Sequence, residues 1–217
     1  MKNSSISFLI TLMFFTGSLY AQEESPCSIT LSQVTLSTGW YQPSMDYWNN
    51  TFLPDANSTD RFGGNFLYSG NITVDFPLNL GTRVGVWYWE DAVSGEEGGS
   101  FNTLHVDFTG LTIGAFYKYR PGFWGIRPYL GLDESFLFIQ DRYNVSGVLS
   151  KKSGMDFVFT PFLGIDRVIG SHFLLGIEYG YRIGHYMQDV ETISGISAEK
   201  VSINGHLVQL TIGYAFP

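Results

Sequence analysis

From Val208 onward every second residue is apolar: Val208, Leu210, Ile212, Tyr214 and Phe216 alternate with Gln209, Thr211, Gly213 and Ala215. A period of two over this length predicts a β-strand with two chemically different faces. The same rhythm recurs upstream and predicts eight strands in all. The second covers about Asn65 to Phe76, the third Arg83 to Glu90, the fourth about Phe101 to Tyr119 and the fifth Ile126 to Gln140. The sixth is Met155 to Val168, the seventh Phe173 to Ile183, and Leu207 to Phe216 closes the series. The first, Ile29 to Tyr41, is mixed: Val34, Leu36 and Trp40 share one parity, Ile29 and Leu31 the other. In the fourth, Leu104, Val106 and Phe108 are out of phase with Leu111, Ile113 and Tyr117, which predicts a β-bulge near Gly110. Glu134 interrupts the apolar face of the fifth, and Pro128 sits near its start, where a missing donor is tolerated.

The connections alternate as the strands do. Pro77–Thr82, Arg120–Gly125 and Ile169–Ser171 are short. Gln42–Gly64, Asp91–Ser100, Asp141–Gly154 and His185–Ile203 are long and polar, and are expected to be loops. Short turns at one end and long loops at the other are the layout of a membrane β-barrel, with both chain ends on the short-turn, periplasmic side.

Composition sharpens the picture. Charged residues make up 15% of the 217, against about 25% in soluble domains, while aromatics make up 17%. Residues 1–21 read as a secretory signal peptide: Lys2, an apolar run from Phe8 to Phe15, and Leu19-Tyr20-Ala21 before the cut. Residues 22–27 would be a short periplasmic segment and 28–217 the barrel. Removing the leader takes away one lysine and no acid, so the net charge moves from −8 to −9. That acidity excludes electrostatic nucleic-acid binding. Cys27 is the sole cysteine and lacks a small-residue lipobox before it, so it reads as an unpaired thiol.

Periodicity alone does not separate a membrane barrel from a soluble one; residue identity does. One parity is almost wholly large and apolar. The other carries Gly, Ser, Thr and Asn with the charges Asp75, Arg83, Arg127, Asp133, Asp166, Glu178 and Arg182. Small and charged residues suit the inside of a narrow barrel, where opposite charges pair, better than a solvated surface. These seven are expected to form a structural charge network inside, with a proton or ion path as the alternative. Val208, Leu210, Ile212, Tyr214 and Phe216 are expected to face lipid. Tyr117, Tyr119, Tyr214 and Phe216 at one end, and Tyr88 and Phe138 toward the other, match two interfacial aromatic girdles.

Leu207–Phe216, Arg127-Pro128-Tyr129-Leu130-Gly131-Leu132 and Ile177-Glu178-Tyr179-Gly180-Tyr181-Arg182 carry a resemblance to the small eight-stranded outer-membrane proteins of Gram-negative bacteria, of the OmpX and OmpA-transmembrane-domain type. The resemblance covers essentially the whole mature chain. It implies an all-β, eight-stranded antiparallel up-and-down barrel, inserted by the barrel-assembly machinery as a monomer among outer-membrane lipid and lipopolysaccharide. Pro217 departs from the pattern, since such chains usually end on the aromatic itself. A structural or surface-interaction role is expected, in envelope integrity or adhesion. The alternative is transport, through a narrow pore or by a lateral route for small apolar molecules.

Candidate chemistry is sparse. The long-loop acids Asp46, Asp55, Asp60, Glu90, Asp91, Glu96, Glu97, Asp189, Glu191 and Glu199 either bind cations that bridge lipopolysaccharide or simply form a solvated surface. Tyr47 and Trp48 with Phe52 make either an adhesive tip or rim packing. His105 and Asp107 share a parity and form the one weak acid–base pair for lipid chemistry. His172 falls at the periplasmic end. The sequence has no zinc spacing, phosphate loop or dinucleotide fingerprint, so no catalytic residue, metal site or cofactor is assigned.

Overall fold

The structure, a computed structural model, describes residues 29–55, 58–97, 100–119, 125–145, 148–192 and 195–217. The leader, the 22–27 segment with Cys27, and most of the Arg120–Gly125 turn lie outside these. Nine strands are described: β1 (Thr30–Pro43), β2 (Asn65–Asp75), β3 (Leu80–Glu97), β4 (Ser100–Lys118), β5 (Ile126–Val145), β6 (Val148–Ile169), β7 (Phe173–Thr192), β8 (Gly195–Ser202) and β9 (Gly205–Ala215). They follow the order β6-β5-β4-β3-β2-β1-β9-β7, and a β6–β7 pairing closes the ring.

β8 adds no ninth stave. It pairs with β7 from His185↔Ser202 in the same register in which β9 pairs with β7 from Arg182↔Gly205. Between them the Ile203 N–H donates to the Gly184 carbonyl at 3.0 Å. β8 and β9 are two halves of one eighth stave, interrupted at Ile203–Asn204. The molecule is therefore an eight-stranded antiparallel up-and-down transmembrane barrel.

Stepping from partner to partner round the ring, from Asn65 through Tyr41, Leu207, Gly180, Phe162, Gly131, Phe116 and Gly81, returns to β2 at Asp75, ten residues from the start. Such a stagger tilts eight staves by roughly 45°. A tilted strand crosses a bilayer in about 9–11 residues. β3 to β7 run 18 to 22 residues, so their outer halves rise well beyond it.

Those outer halves correct several expectations. The described parts of Asp91–Ser100, Asp141–Gly154 and His185–Ile203 are not loops but almost wholly strand: β3 runs on to Glu97 and β4 starts at Ser100, β5 runs to Val145 and β6 starts at Val148, and β7 runs to Thr192 with β8 from Gly195. Their polar residues hide an alternation in which Val93, Tyr186 and Val201 point inward and are buried, as do Leu104, Val106 and Ile139 on the adjoining strand stretches. Above the bilayer the outside meets water and the inside is the dry core, as in a soluble barrel. The same inversion explains β4. Its register against β3 and β5 runs unbroken through Gly110, so there is no bulge. Leu104, Val106 and Phe108 face the core, whereas Leu111, Ile113 and Tyr117 on the opposite parity face out. The expectation of a polar interior holds only in the short-turn half.

A bulge does occur in β1. Leu31 pairs with Val74 and Gln33 with Thr73, leaving Ser32 extra. That extra residue returns Leu31 and Val34 to the same outer face and accounts for the mixed parity of this strand. The first long connection is the only genuine loop among the described ones. It carries a short helix, Trp48–Phe52 in π geometry followed by the turn Leu53–Asp55.

Candidate functional site: a sealed lumen and its plug

Inward positions near the short-turn end hold the first charge cluster. Asp166 on β6 accepts Lys118 Nζ at 3.0 Å and Arg127 Nε at 2.6 Å. Asp75 on β2 lies within electrostatic reach of the same lysine. Higher up, Arg83 on β3 spans the barrel. Its guanidinium meets Asp133 of β5 (Nε–Oδ1 2.9 Å, Nη2–Oδ2 2.5 Å) and Glu178 of β7 (Nη1–Oε2 2.7 Å, Nη2–Oε1 3.0 Å). Paired forks of this kind fix geometry as well as charge. Asp133 reaches across because β4 presents Gly114 there: a Cβ at that position would stand 1.9 Å from Asp133 Oδ1.

Arg182 on β7 supplies the fourth cation and is held differently. Its guanidinium lies 3.6 Å from the Trp87 ring and 4.6 Å from the Tyr41 ring, a cation–π arrangement. Trp87 in turn lies flat over Gly110, where a Cβ would come within 2.1 Å of the indole nitrogen, and it donates to Ser135 Oγ at 3.2 Å. The glycine that suggested a bulge is thus the seat of a tryptophan. Arg83, Lys118, Arg127 and Arg182 balance Asp75, Asp133, Asp166 and Glu178, so these eight charges of the short-turn half sum to zero. Of the seven charges expected inside, Asp133, Asp166, Glu178 and Arg182 are buried, Arg83 lies on Asp133 and Glu178, Arg127 lies on Asp166, and Asp75 is the acid nearest Lys118 on β2. Lys118, a lone cation at the end of β4, and the aromatic faces around Arg182 are the parts that sequence alone missed. The parity of Lys118 with Phe116 and Gly114 was the available signal.

A cavity of about 60 Å³ remains among Arg83, Trp87, Asp133, Glu178, Arg182 and Gln209. That is room for a few waters and not for a solute.

Above Arg182 the lumen turns apolar. Trp89 stacks on Phe108 (centroids 5.0 Å, planes 17° apart), and Phe108 meets Tyr186 edge-on at 5.9 Å. The first loop closes over this layer, with Met45, Trp48, Leu53 and Phe62 buried in one core with it. Trp48 Nε1 donates to the Tyr186 hydroxyl at 2.8 Å, which donates to Asp141 Oδ2 at 3.3 Å. Burial pushes the Asp141 carboxyl up to about 7, with the nearby Asp107 charge adding to the effect and the Tyr186 hydrogen bond opposing it. Asn49 staples the loop to itself: its Nδ2 donates to the Phe62 carbonyl (3.1 Å) and its Oδ1 accepts the Phe62 N–H (2.8 Å). Ser44 N–H donates to the Asn204 carbonyl and Met45 N–H to the Ser202 carbonyl, at 2.8 and 2.9 Å, seating the loop on the break in the eighth stave. Tyr41 adds a hydroxyl bond to the Ile203 carbonyl.

The Tyr47, Trp48 and Phe52 group packs onto this core, so rim packing and not an adhesive tip is what the structure contains. His105 lies on the outer wall. Its Nε2 is 3.5 Å from Glu90 and 3.9 Å from Asp107, while Arg142 holds Asp107 at 2.8 Å and Tyr88 holds Glu90 at 2.6 Å. These partners make it part of a surface ion network. His172 stacks on Tyr214 near the chain end. Asp46, Asp60, Glu90 and Asp189 are exposed and dispersed. The side chains of Asp55, Glu96, Glu97 and Glu191 lie outside the described set. Among described residues no three His, Cys, Asp or Glu converge as metal ligands.

No family model matches this sequence, and no curated protein matches it. Solved structures do resemble it. The outer membrane protein OprG of Pseudomonas aeruginosa aligns with a TM-score of 0.57 at 14% identity, over 86% of this chain and 96% of that one. Neisserial surface protein A gives 0.54 at 11% identity, over 87% and 99%. A major outer membrane protein of Thermus thermophilus gives 0.53 at 14% identity, over 85% and 99%. At such identities the likeness is one of fold: this chain folds as the small outer-membrane barrels do.

Proposed function

We propose that the protein is a self-plugged outer-membrane barrel that serves as an anchored surface platform, acting through its outer end in envelope integrity or adhesion. In this reading Ala21 is the last residue of a cleaved leader. Val208, Leu210, Ile212, Tyr214 and Phe216 stand in lipid, in contact with lipopolysaccharide at the outer rim. The barrel-assembly machinery inserts one chain as a complete unit, since the closed ladder leaves no edge requiring a partner strand. No nucleic acid and no catalytic activity are assigned. The exposed loop residues Asp46, Asn50, Thr51 and Arg61 stand ready for a surface contact.

One observation carries the reading: Arg182, clasped between Trp87 and Tyr41, and the buried Trp89, Phe108, Tyr186 and Trp48 layer above it stand across the lumen. The neutral charge network below it is then a structural girder. Purified protein in planar bilayers is expected to give no steady conductance; sustained open pores from pure protein would overturn this reading.

A second reading, lateral transport of small apolar molecules, has one observation in its favour. The β6–β7 ladder lapses between Phe159↔Ile183 and Phe162↔Gly180, where Pro161 lacks a donor. Uptake of a small alkane-like solute by vesicles carrying the protein, absent from empty vesicles, would favour that reading.

A further inference from the structure

Glu134 stands on the wrong side of the wall. Its neighbours Asp133 and Ser135 are buried inside, so Glu134 projects outward from β5. It pairs with Ile113 of β4 on one side and Phe159 of β6 on the other, with Leu132 and Phe136 above and below on the same face. Six residues separate it from Pro128 at the short-turn rim and four from Phe138 at the outer rim. At a tilt near 45° it sits well inside the apolar belt, which is about 25 Å tall. Among the described outward positions of that belt it is the only charged residue type; Arg167 and Glu90 lie at its two edges. Among the described residues no hydrogen bond or ion pair engages it. A glutamate is too short to reach either interface from that depth, unlike a snorkelling lysine or arginine.

We infer that Glu134 marks a face-to-face contact between two copies of this chain in the plane of the membrane. A polar group in hydrocarbon demands a hydrogen-bonding partner at its own depth. Copies inserted in the same orientation all carry Glu134 at one depth. A twofold axis along the membrane normal brings two of them together. In its neutral form a carboxyl is at once donor and acceptor, so it satisfies its own duplicate. The flanking surface suits such a contact: Leu132 and Ile113 are exposed, and the Phe136–Phe157 pair, 5.2 Å between ring centres, forms a continuous apolar ridge beside the acid. Each barrel folds as a complete single chain, and association follows insertion.

Oxidative crosslinking in lipid vesicles tests this, in a Cys27→Ser background with the protein dilute in lipid. Leu132→Cys, which keeps Glu134, is expected to give a disulfide-linked dimer. Leu210→Cys, on the far wall, is not. Adding Glu134→Leu to Leu132→Cys is expected to reduce the dimer to the Leu210→Cys level, whereas Glu134→Gln, whose amide also pairs with itself, retains it. Heat-modifiable gel mobility verifies that each variant is folded. Absence of the Leu132→Cys dimer in folded protein, or its persistence with Glu134→Leu, would overturn the inference.

Discussion

The Trp48 indole and the Tyr186 hydroxyl, 2.8 Å apart, join the first loop to the barrel wall. It is a bond between an element with no regular partner of its own and the outer half of β7. Both residues are almost wholly buried, and the Tyr186 hydroxyl passes the connection on to Asp141. The bond adds a side-chain tie to the backbone bonds of Ser44 and Met45 and the burial of Met45, Leu53 and Phe62 that hold the loop down.

Trp48→Ala is expected to undock the loop without unfolding the barrel. Loss of a buried tryptophan costs about 3–5 kcal/mol, and the Tyr186 hydroxyl loses its donor. Limited proteolysis should then cut between residues 44 and 64, while unboiled protein keeps its compact mobility on gels. Loss of that mobility would instead show the loop to be needed for the barrel itself.

Docking of the loop should also depend on pH. Asp141 is raised from 3.8 to about 7 by burial. The docked state holds its proton more tightly than an exposed carboxyl does. The lid is then firmest below pH 3.8, loosens as pH rises from there to about 7, and changes little above. The slope within that window is at most about 1.4 kcal/mol per pH unit. Hydrogen exchange of the loop amides, corrected for intrinsic rates, would measure it, and Asp141→Asn should flatten the profile.

Arg83 is the keystone of the charged half. Arg83→Ala leaves Asp133 and Glu178 buried without their cation, which costs about 3–5 kcal/mol. Replacing Arg83 with Met together with Asp133→Leu and Glu178→Leu should recover much of that loss, since no charge is then stranded. Urea unfolding in lipid vesicles, followed by gel mobility, orders the three proteins. A triple variant no better than Arg83→Ala would show that the network contributes more than charge balance.

Gly110→Ala should be destabilising although alanine suits a strand better than glycine. Its Cβ would fall 2.1 Å from the Trp87 nitrogen, and overpacking of this kind costs about 1–3 kcal/mol. Trp87→Leu in the same chain should relieve the clash. Thermal midpoints of the single and double variants would show the coupling.

Sequence alone determined the strand count, the closing strand and the inward parity of Arg83, Asp133, Glu178 and Arg182. In the bilayer the outside is apolar, the inside is polar, and a single period of two reports both. It misjudged Asp91–Ser100, Asp141–Gly154, His185–Ile203 and the Gly110 region for one physical reason. Beyond the bilayer the solvent outside becomes water, and the meaning of each parity reverses while the strand runs on. Only the closed tertiary structure shows where that reversal falls. It alone brings Trp48 to Tyr186 across 138 residues and seats Trp87 on Gly110. Those relationships depend on the stagger of the whole ring, which no local pattern of residues encodes.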